Sequence, residues 1–560
     1  MKKITKLVAM LLAMVMAVGM LSACGGSGDP GTSAAGGDQT TEAGSEQNES
    51  QEATQGGATG EGPQYGGHLD VRVASTIQGI DPLKQTGAWR YIYETCVFQN
   101  PLTRDAENKI APGVCDYELS DDMLTLTMWV VDGKTFSNGN PVTIQDVEAS
   151  INRAFKLYSN IAKKVVPNVE SVTVDGDRLT VKFNKYSNAC LKYFAAYQTW
   201  MAVMPKEICE KYNDKYIIDQ CEDAIGTGPY YFSDFRDNVQ VTITKHDNYT
   251  PVETDRSGLA GTQYGYLDSI TFWFNNSDES TALALLSGEY DVCEVIPAEY
   301  EPMAYAQGLK AEVLKSNSTT FCIFNTKGSN LCAKYPALRK AIMAAIDYED
   351  FLGVVTDNQQ LMNSNLLLRD EFENGKFTAA DYYGPANQEV VDKYMAEAKA
   401  QGYDDQPIQF VFNSRTNTIA TLMGDYLDKA GINYQISAME ANAFQTFVND
   451  DGNNWDYYFT WLNTGFYPSD MDTAITEKHY GNTEKDKLME QMLMVDYDDP
   501  QYLEMWDSLS DMFVEDCAFG FMSRINWFWW GPETFHANDD DSYQRTMVNA
   551  YWEDPQNHMD

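Results

Sequence analysis

The chain has 560 residues, 82 of them acidic and 40 basic, for a formal net charge of −42. That balance argues against a nucleic-acid partner, because holding phosphates takes clustered basic side chains. The stretch from Tyr65 to Asp560 exceeds what one hydrophobic core organises, so two or more lobes are expected.

Met1–Lys6 carries three lysines, Leu7 to Met20 is apolar, and Leu21-Ser22-Ala23-Cys24 follows. A basic start, a short apolar run and small residues at a cleavage point make residues 1–23 a secretory signal peptide. The run falls short of the roughly 18–20 residues of a spanning helix. Leu-Ser-Ala-Cys resembles the bacterial lipobox, which implies a lipid on Cys24 and a place on the outer face of the bacterial cytoplasmic membrane. An uncleaved anchor with an incidental Cys is the alternative. Replacing Cys24 with Ala is expected to release the protein from membranes on fractionation, and continued retention would contradict the lipid.

Residues 24–64 follow as an acidic, Gly-rich linker. From Gly25 to Gln64 there are seven acidic residues, eleven glycines, and no Lys, Arg, Leu, Ile, Val or aromatic residue. Such a segment buries too little apolar surface to offset the entropy of ordering it. As a flexible coil it reaches roughly 35 Å root-mean-square. Nine cysteines remain after Cys24, with no close C-x-x-C pair, and their pairing is not given by spacing.

The region after Asn100 reads as β-rich. Leu124, Leu126 and Met128 alternate with Thr125, Thr127 and Trp129, which predicts a strand. Val169–Val174 and Leu179–Phe183 flank a turn at Asp175-Gly176-Asp177-Arg178, a hairpin pattern. Between them Thr143 and Asp146 read as a capping-box variant, with Val147, Ile151 and Phe155 along one helix face. Further on, Tyr266–Phe274 is a predicted strand, Asp278 caps a helix ended by Gly288, and Tyr290–Ile296 is a second strand. Pro336 opens an amphipathic helix through Leu338, Ile342 and Ala345. Pro407–Phe412, Ile419–Ala430 (stopped by Gly431) and Ile432–Met439 repeat the strand–helix–strand order. These blocks predict βαβ units, parallel sheets and two α/β lobes, with a ligand cleft between them.

No catalytic set emerges. The five histidines, His68, His246, His479, His536 and His558, form no H-E-x-x-H, and no G-x-S-x-G turn occurs. Gly226-Thr227-Gly228 runs into Pro229 and makes a poor phosphate loop. The acidic runs at 450–454 and 539–541 lack calcium-loop spacing and read as solvated turns. Binding is therefore favoured over chemistry, with no cofactor and no metal expected.

Several segments then resemble one family. Leu119–Val147 (LSDDMLTLTMWVVDGKTFSNGNPVTIQDV) is similar to the S-D-D-G-x-T…F-x-D-G-x-P-x-T-A-x-D-V stretch of extracytoplasmic peptide-binding proteins of ABC importers. Ile225–Tyr231 (IGTGPYY), Leu285–Asp291 (LLSGEYD), Phe324–Lys327 (FNTK) with Leu338–Ala341 and Ala345–Asp347, and Ile80-Asp81-Pro82 match further motifs of the family in order. The resemblance is to the family 5 type, which takes oligopeptides, dipeptides or nickel. It implies an α/β, two-lobed periplasmic-binding-protein-like fold of type II, the large peptide-binder variant with an extra β-rich subdomain. Lobe I would be 65–315 plus 518–560, with the β-rich insertion at about 100–220. Lobe II would be 316–517, joined to it by two crossing strands. It further implies a monomeric receptor partnered by an ABC permease and its ATPase. Gly226, Gly228, Gly288 and Arg339 fall on scaffold motifs.

The same resemblance supplies site residues. Ser75, Thr76 and Gln78 would face the cleft from lobe I, and Trp461, Asn463, Thr464, Phe466 and Tyr467 from lobe II. Core packing for Trp461, and an ordinary turn for the rest, is the alternative. Peptide binders of the family keep an Asp between this Trp and a following Pro to hold the peptide's α-ammonium. Here that position falls on Thr464, or on Gly465 one residue along, and Asp470 or Asp456 would substitute only with a rearranged loop. The resemblance implies a peptide or peptide-like ligand as the first expectation, while the uncharged aromatic and amide surface and the absent carboxylate suit a neutral oligosaccharide as the second. A surface hydrolase or a non-transporting lipoprotein stands behind both. The Trp527-Phe528-Trp529-Trp530 run reads as packing between or within lobes.

Overall fold

β1 (His68–Val73) turns Leu69, Val71 and Val73 to the core and its alternate residues outward. It belongs to a computed structural model that describes residues 62–73, 79–83, 90–196, 198–214, 217–274, 277–294, 296–355, 359–360, 374–450, 452, 454–463, 479–497, 499–537 and 546–559. The signal segment, Cys24 and the linker through residue 61 lie outside the described residues.

β2 (Leu102–Arg104) pairs with β3 (Ile110–Pro112). β4 (Cys115–Leu119), β5 (Thr125–Val130), β6 (Val169–Asp175) and β7 (Arg178–Phe183) make an antiparallel sheet in the order β4-β5-β7-β6. Leu126 and Met128 are the buried residues of β5, as a period of two requires. Asp175 pairs with Arg178, so the hairpin turn is only Gly176-Asp177, tighter than the Asp175–Arg178 turn expected. Gly176 permits it with a φ of 61°. The helix Ile144–Leu157 packs on this sheet, opened by the expected capping box in which Asp146 Oδ2 accepts from Thr143 N at 2.8 Å.

β8 (Tyr230–Arg236), β9 (Gln240–Lys245) and β10 (Ser269–Phe274) belong to the main sheet. The helix Asp278–Ser287 is capped by Ser277 rather than Asp278. Ser277 Oγ accepts from Ser280 N at 3.3 Å, and Gly288 ends the helix in the left-handed region. β11 (Val292–Cys293) is shorter than the Tyr290–Ile296 run. β1 lies between β10 and β11, parallel to both, so the strand–helix–strand unit spans an inserted neighbour.

The remaining strands are β12 (Leu309–Phe324), β13 (Gln359–Gln360), β14 (Ile408–Asn413), β15 (Tyr434–Met439), β16 (Tyr457–Asn463) and β17 (Phe519–Pro532). Among the described residues the main sheet runs β15-β14-β16-β12-β17-β11-β1-β10-β9-β8, with β13 on β17. Because this sheet is continuous through β12 and β17, Glu61–Asp560 forms one unit.

Alternate residues feed cores on opposite faces. Cys322, Phe324, Phe410, Phe412, Tyr457 and Phe459 pack with the helices Pro336–Ala345 and Asn417–Ala430. Phe321, Ile323, Val411 and Tyr458 pack instead with Tyr502, Trp506 and Phe513 of the helix Pro500–Asp516. Cover on both faces accounts for the apolar runs Phe321–Phe324 of β12, Phe410–Phe412 of β14 and Tyr457–Phe459 of β16, although β12 is antiparallel to both its neighbours while β14 is parallel to β15 and β16. Of the Trp527–Trp530 run, Trp529 joins the core around β1, while Phe528 and Trp530 pack under the helix Asp278–Ser287.

Gly226 and Gly228 sit where a side chain cannot. A Cβ there would lie 2.0 Å from Val97 O and 2.3 Å from Cys96 O, respectively. The turn docks by its backbone on the end of the helix Tyr91–Val97, with Gly228 N donating to Val97 O at 2.9 Å. Arg339 is buried and donates from Nε to Asp516 O at 2.8 Å. None of the nine cysteines from Cys96 to Cys517 forms a disulfide.

Candidate ligand-binding site

Strand direction brings two sets of carboxyl ends to one place. Arg72 of β1 is level with Cys293 of β11, which pairs with Trp530 and through it with Ala311 of β12. β11 is antiparallel to β17, as β12 is, so β1, β11 and β12 all run the same way. β16 is antiparallel to β12 and ends at Asn463, opposite Ser318. The carboxyl ends of β1 and β16, at Val73 and Asn463, therefore both point along the sheet toward the same part of β12, Ala311–Ser318. In open α/β sheets ligands bind outside the carboxyl ends of the strands.

That part of β12 is irregular. Its pairing with β17 shifts register between Leu314 and Ser318 and again between Thr320 and Phe321. Such bulges add local twist and bend a strand. Beside them Thr320 faces both Trp461 and Ser523, with Thr320 Oγ1 and Ser523 Oγ 2.7 Å apart and both residues buried.

The backbones of Trp461 and Asn463 thus form the last turns of the pleat in β16. Their side chains lie outside the described ones, and so do Ser75, Thr76, Gln78, Thr464, Phe466 and Tyr467 entirely. Asp456, at the other end of β16, is described and is committed to the scaffold. Its Oδ1 accepts from Cys332 N at 2.8 Å and its Oδ2 from Gln409 N at 2.7 Å, with none of the residue exposed. Burial raises its pKa. It is fully buried and lies at the opposite end of β16 from Asn463.

One contact had no signal in the sequence. Asn188, at the start of the helix Asn188–Phe194, donates from Nδ2 to Met492 O at 2.9 Å and to Val495 O at 3.0 Å. Its backbone N–H donates to Leu493 O at 3.0 Å. These carbonyls close the helix Thr483–Met492, whose last acceptors have no partner within the helix. The pairing spans some 300 residues of sequence, beyond the reach of any local pattern.

The model of the bacterial extracellular solute-binding proteins, family 5, matches residues 109–484. The chain belongs to that family. Among relatives of this family 5 chain, the glutathione-binding protein GsiB of Salmonella paratyphi A is 24% identical over 522 residues, covering 84% of this chain and 93% of GsiB. The ABC transporter substrate-binding protein CtaP of Listeria monocytogenes superposes with a TM-score of 0.72 at 19% identity, over 88% of this chain and all of CtaP. The oligopeptide-binding protein AppA of Bacillus subtilis, solved with a nonapeptide, gives 0.67 at 17% over the same share. The family 5 chain accordingly has the two-lobed periplasmic-binding-protein-like α/β fold. No helix among its described residues is long and apolar enough to cross a membrane.

Proposed function

We propose that this family 5 protein is a lipid-anchored receptor of an ABC importer that closes two lobes on a peptide or peptide-like ligand and hands it to the permease. Lobe I is 65–315 with 518–560, lobe II is 316–517, and β12 and β17 are the crossing strands. The observation that carries this reading is the convergence of two sets of strand carboxyl ends on the bulged middle of β12. A ligand held there meets both lobes, and so stabilises the closed arrangement over the open one. The bulges on the crossing strands suit a hinge, since hinges absorb backbone change in a few residues at element boundaries. The names of GsiB and AppA, glutathione-binding and oligopeptide-binding, support a peptide-like ligand here.

A neutral oligosaccharide is the second reading. It is favoured by Asp456, which is consumed by backbone donors while the acid position of peptide binders falls on Thr464 or Gly465. A free α-ammonium would then be buried without a counter-ion, which is costly.

A thermal-shift screen separates these readings, using free-amine peptides, N-blocked peptides and oligosaccharides, because a bound ligand raises the melting temperature by mass action. N-blocked peptides are expected to outperform their free-amine forms; preference for free amines would contradict the reading of Thr464. For the strongest hit, Trp461→Ala is expected to weaken binding by about 2 kcal/mol, roughly thirtyfold in Kd, without unfolding the chain. Unchanged binding would place Trp461 in the core.

A further inference from the structure

A cavity of about 220 Å³ lies between the β2–β5 region and the segment 249–263, lined by no residue of β12, β16 or β17. Into it projects Lys134, from the loop after β5. Its ammonium donates to Gln99 Oε1 at 3.1 Å. Gln99 is held in turn, donating from Nε2 to Gln263 Oε1 at 2.7 Å and accepting from Thr227 Oγ1 at 3.1 Å. No carboxylate among the described residues reaches Lys134 at salt-bridge distance. Its titratable neighbour is the Cys115 thiol, which burial pushes up to about 12 and so keeps neutral. An ammonium has three donors, and Lys134, half-buried at the cavity wall, has one neutral acceptor, which leaves two N–H groups for a bound molecule or water. Burial holds Lys134 down to about 8.

We propose that this cavity is a second binding site, separate from the inter-lobe cleft, for a small monocarboxylate whose charged group rests on Lys134 Nζ. The amide row Gln99–Gln263 and the hydroxyl of Thr103 offer polar edges to the rest of the molecule. Single charge is favoured over a phosphate because Asp116 and Glu253 also line the cavity, against Lys134 and Arg256. The space is many times what one water needs, so it accommodates a small organic acid.

The test is titration of the full chain by calorimetry and thermal shift with lactate, succinate and inorganic phosphate. Lactate is expected to bind and to raise the melting temperature with concentration. Lys134→Met, which keeps most of the stem's volume, is expected to weaken it about tenfold or more. Lys134→Arg retains the cation and should retain binding. The shift should survive in Trp461→Ala, which separates this site from the cleft. No response to any of the three anions, or an equal response in Lys134→Met, would overturn the proposal. Phosphate binding more tightly than lactate would overturn the monocarboxylate assignment.

Discussion

Arg153→Met is expected to destabilise the protein by about 3–5 kcal/mol, the cost of leaving one member of a buried ion pair without the other. Arg153 Nη2 lies 2.5 Å from Asp81 Oδ2 and Nη1 lies 3.2 Å from Oδ1, with neither side chain more than 1% exposed. Asp81 is also the acceptor for Leu83 N at 2.9 Å and Ile218 N at 3.2 Å, and Arg153 Nε donates to Tyr212 O at 3.2 Å. The pair therefore ties the residues just after β1 to the helix Ile144–Leu157 and to the segment near 218. A native protein has only about 5–15 kcal/mol in hand, so the loss should show as a large fall in the urea midpoint. Adding Asp81→Asn should restore part of the stability by removing the orphaned charge. A single variant within about 1 kcal/mol of wild type would contradict this account of the pair.

Asn188→Ala is expected to weaken ligand binding without touching the ligand. Under the lobe boundaries proposed above, Asn188 belongs to the β-rich insertion of lobe I and the carbonyls of Met492 and Val495 to lobe II. In the present arrangement the alanine variant leaves both carbonyls without the side-chain donor. In an opened arrangement water would serve them equally well in either protein. The penalty of about 1–3 kcal/mol for a lost buried hydrogen-bond partner therefore falls on the closed state, and about a 5- to 150-fold rise in Kd follows. Most of it should appear as faster dissociation. Calorimetry with the best hit of the thermal-shift screen measures it. An unchanged Kd beside a weakened Trp461→Ala would remove Asn188 from the closing mechanism.

The elements that were legible in the sequence are those set by local rules. The capping box at Thr143, the alternation at 124–129 and the glycine stops at 288 and 431 each depend on residues within one or two turns of one another. The misses are of two kinds. Boundaries such as β10 starting at Ser269, or Ser277 capping in place of Asp278, are decided by which of two competent neighbours tertiary packing selects. The contacts of Asn188 and the ion pair of Arg153 with Asp81 join residues 304 and 72 positions apart, and no periodicity encodes them. For the site, motif order led to the family, and strand direction then led to the middle of β12. The burial of Asp456 could not be read in the sequence because its two backbone donors come from distant segments.

Small-angle scattering of the protein, with and without its best ligand, tests the central claim most directly. If ligand captured between the lobes draws them together, the radius of gyration should fall on saturation and recover when ligand is removed. Trp461→Ala and Asn188→Ala should need more ligand to show the same fall. Saturating binding with no change in the radius of gyration would contradict a receptor that works by closure.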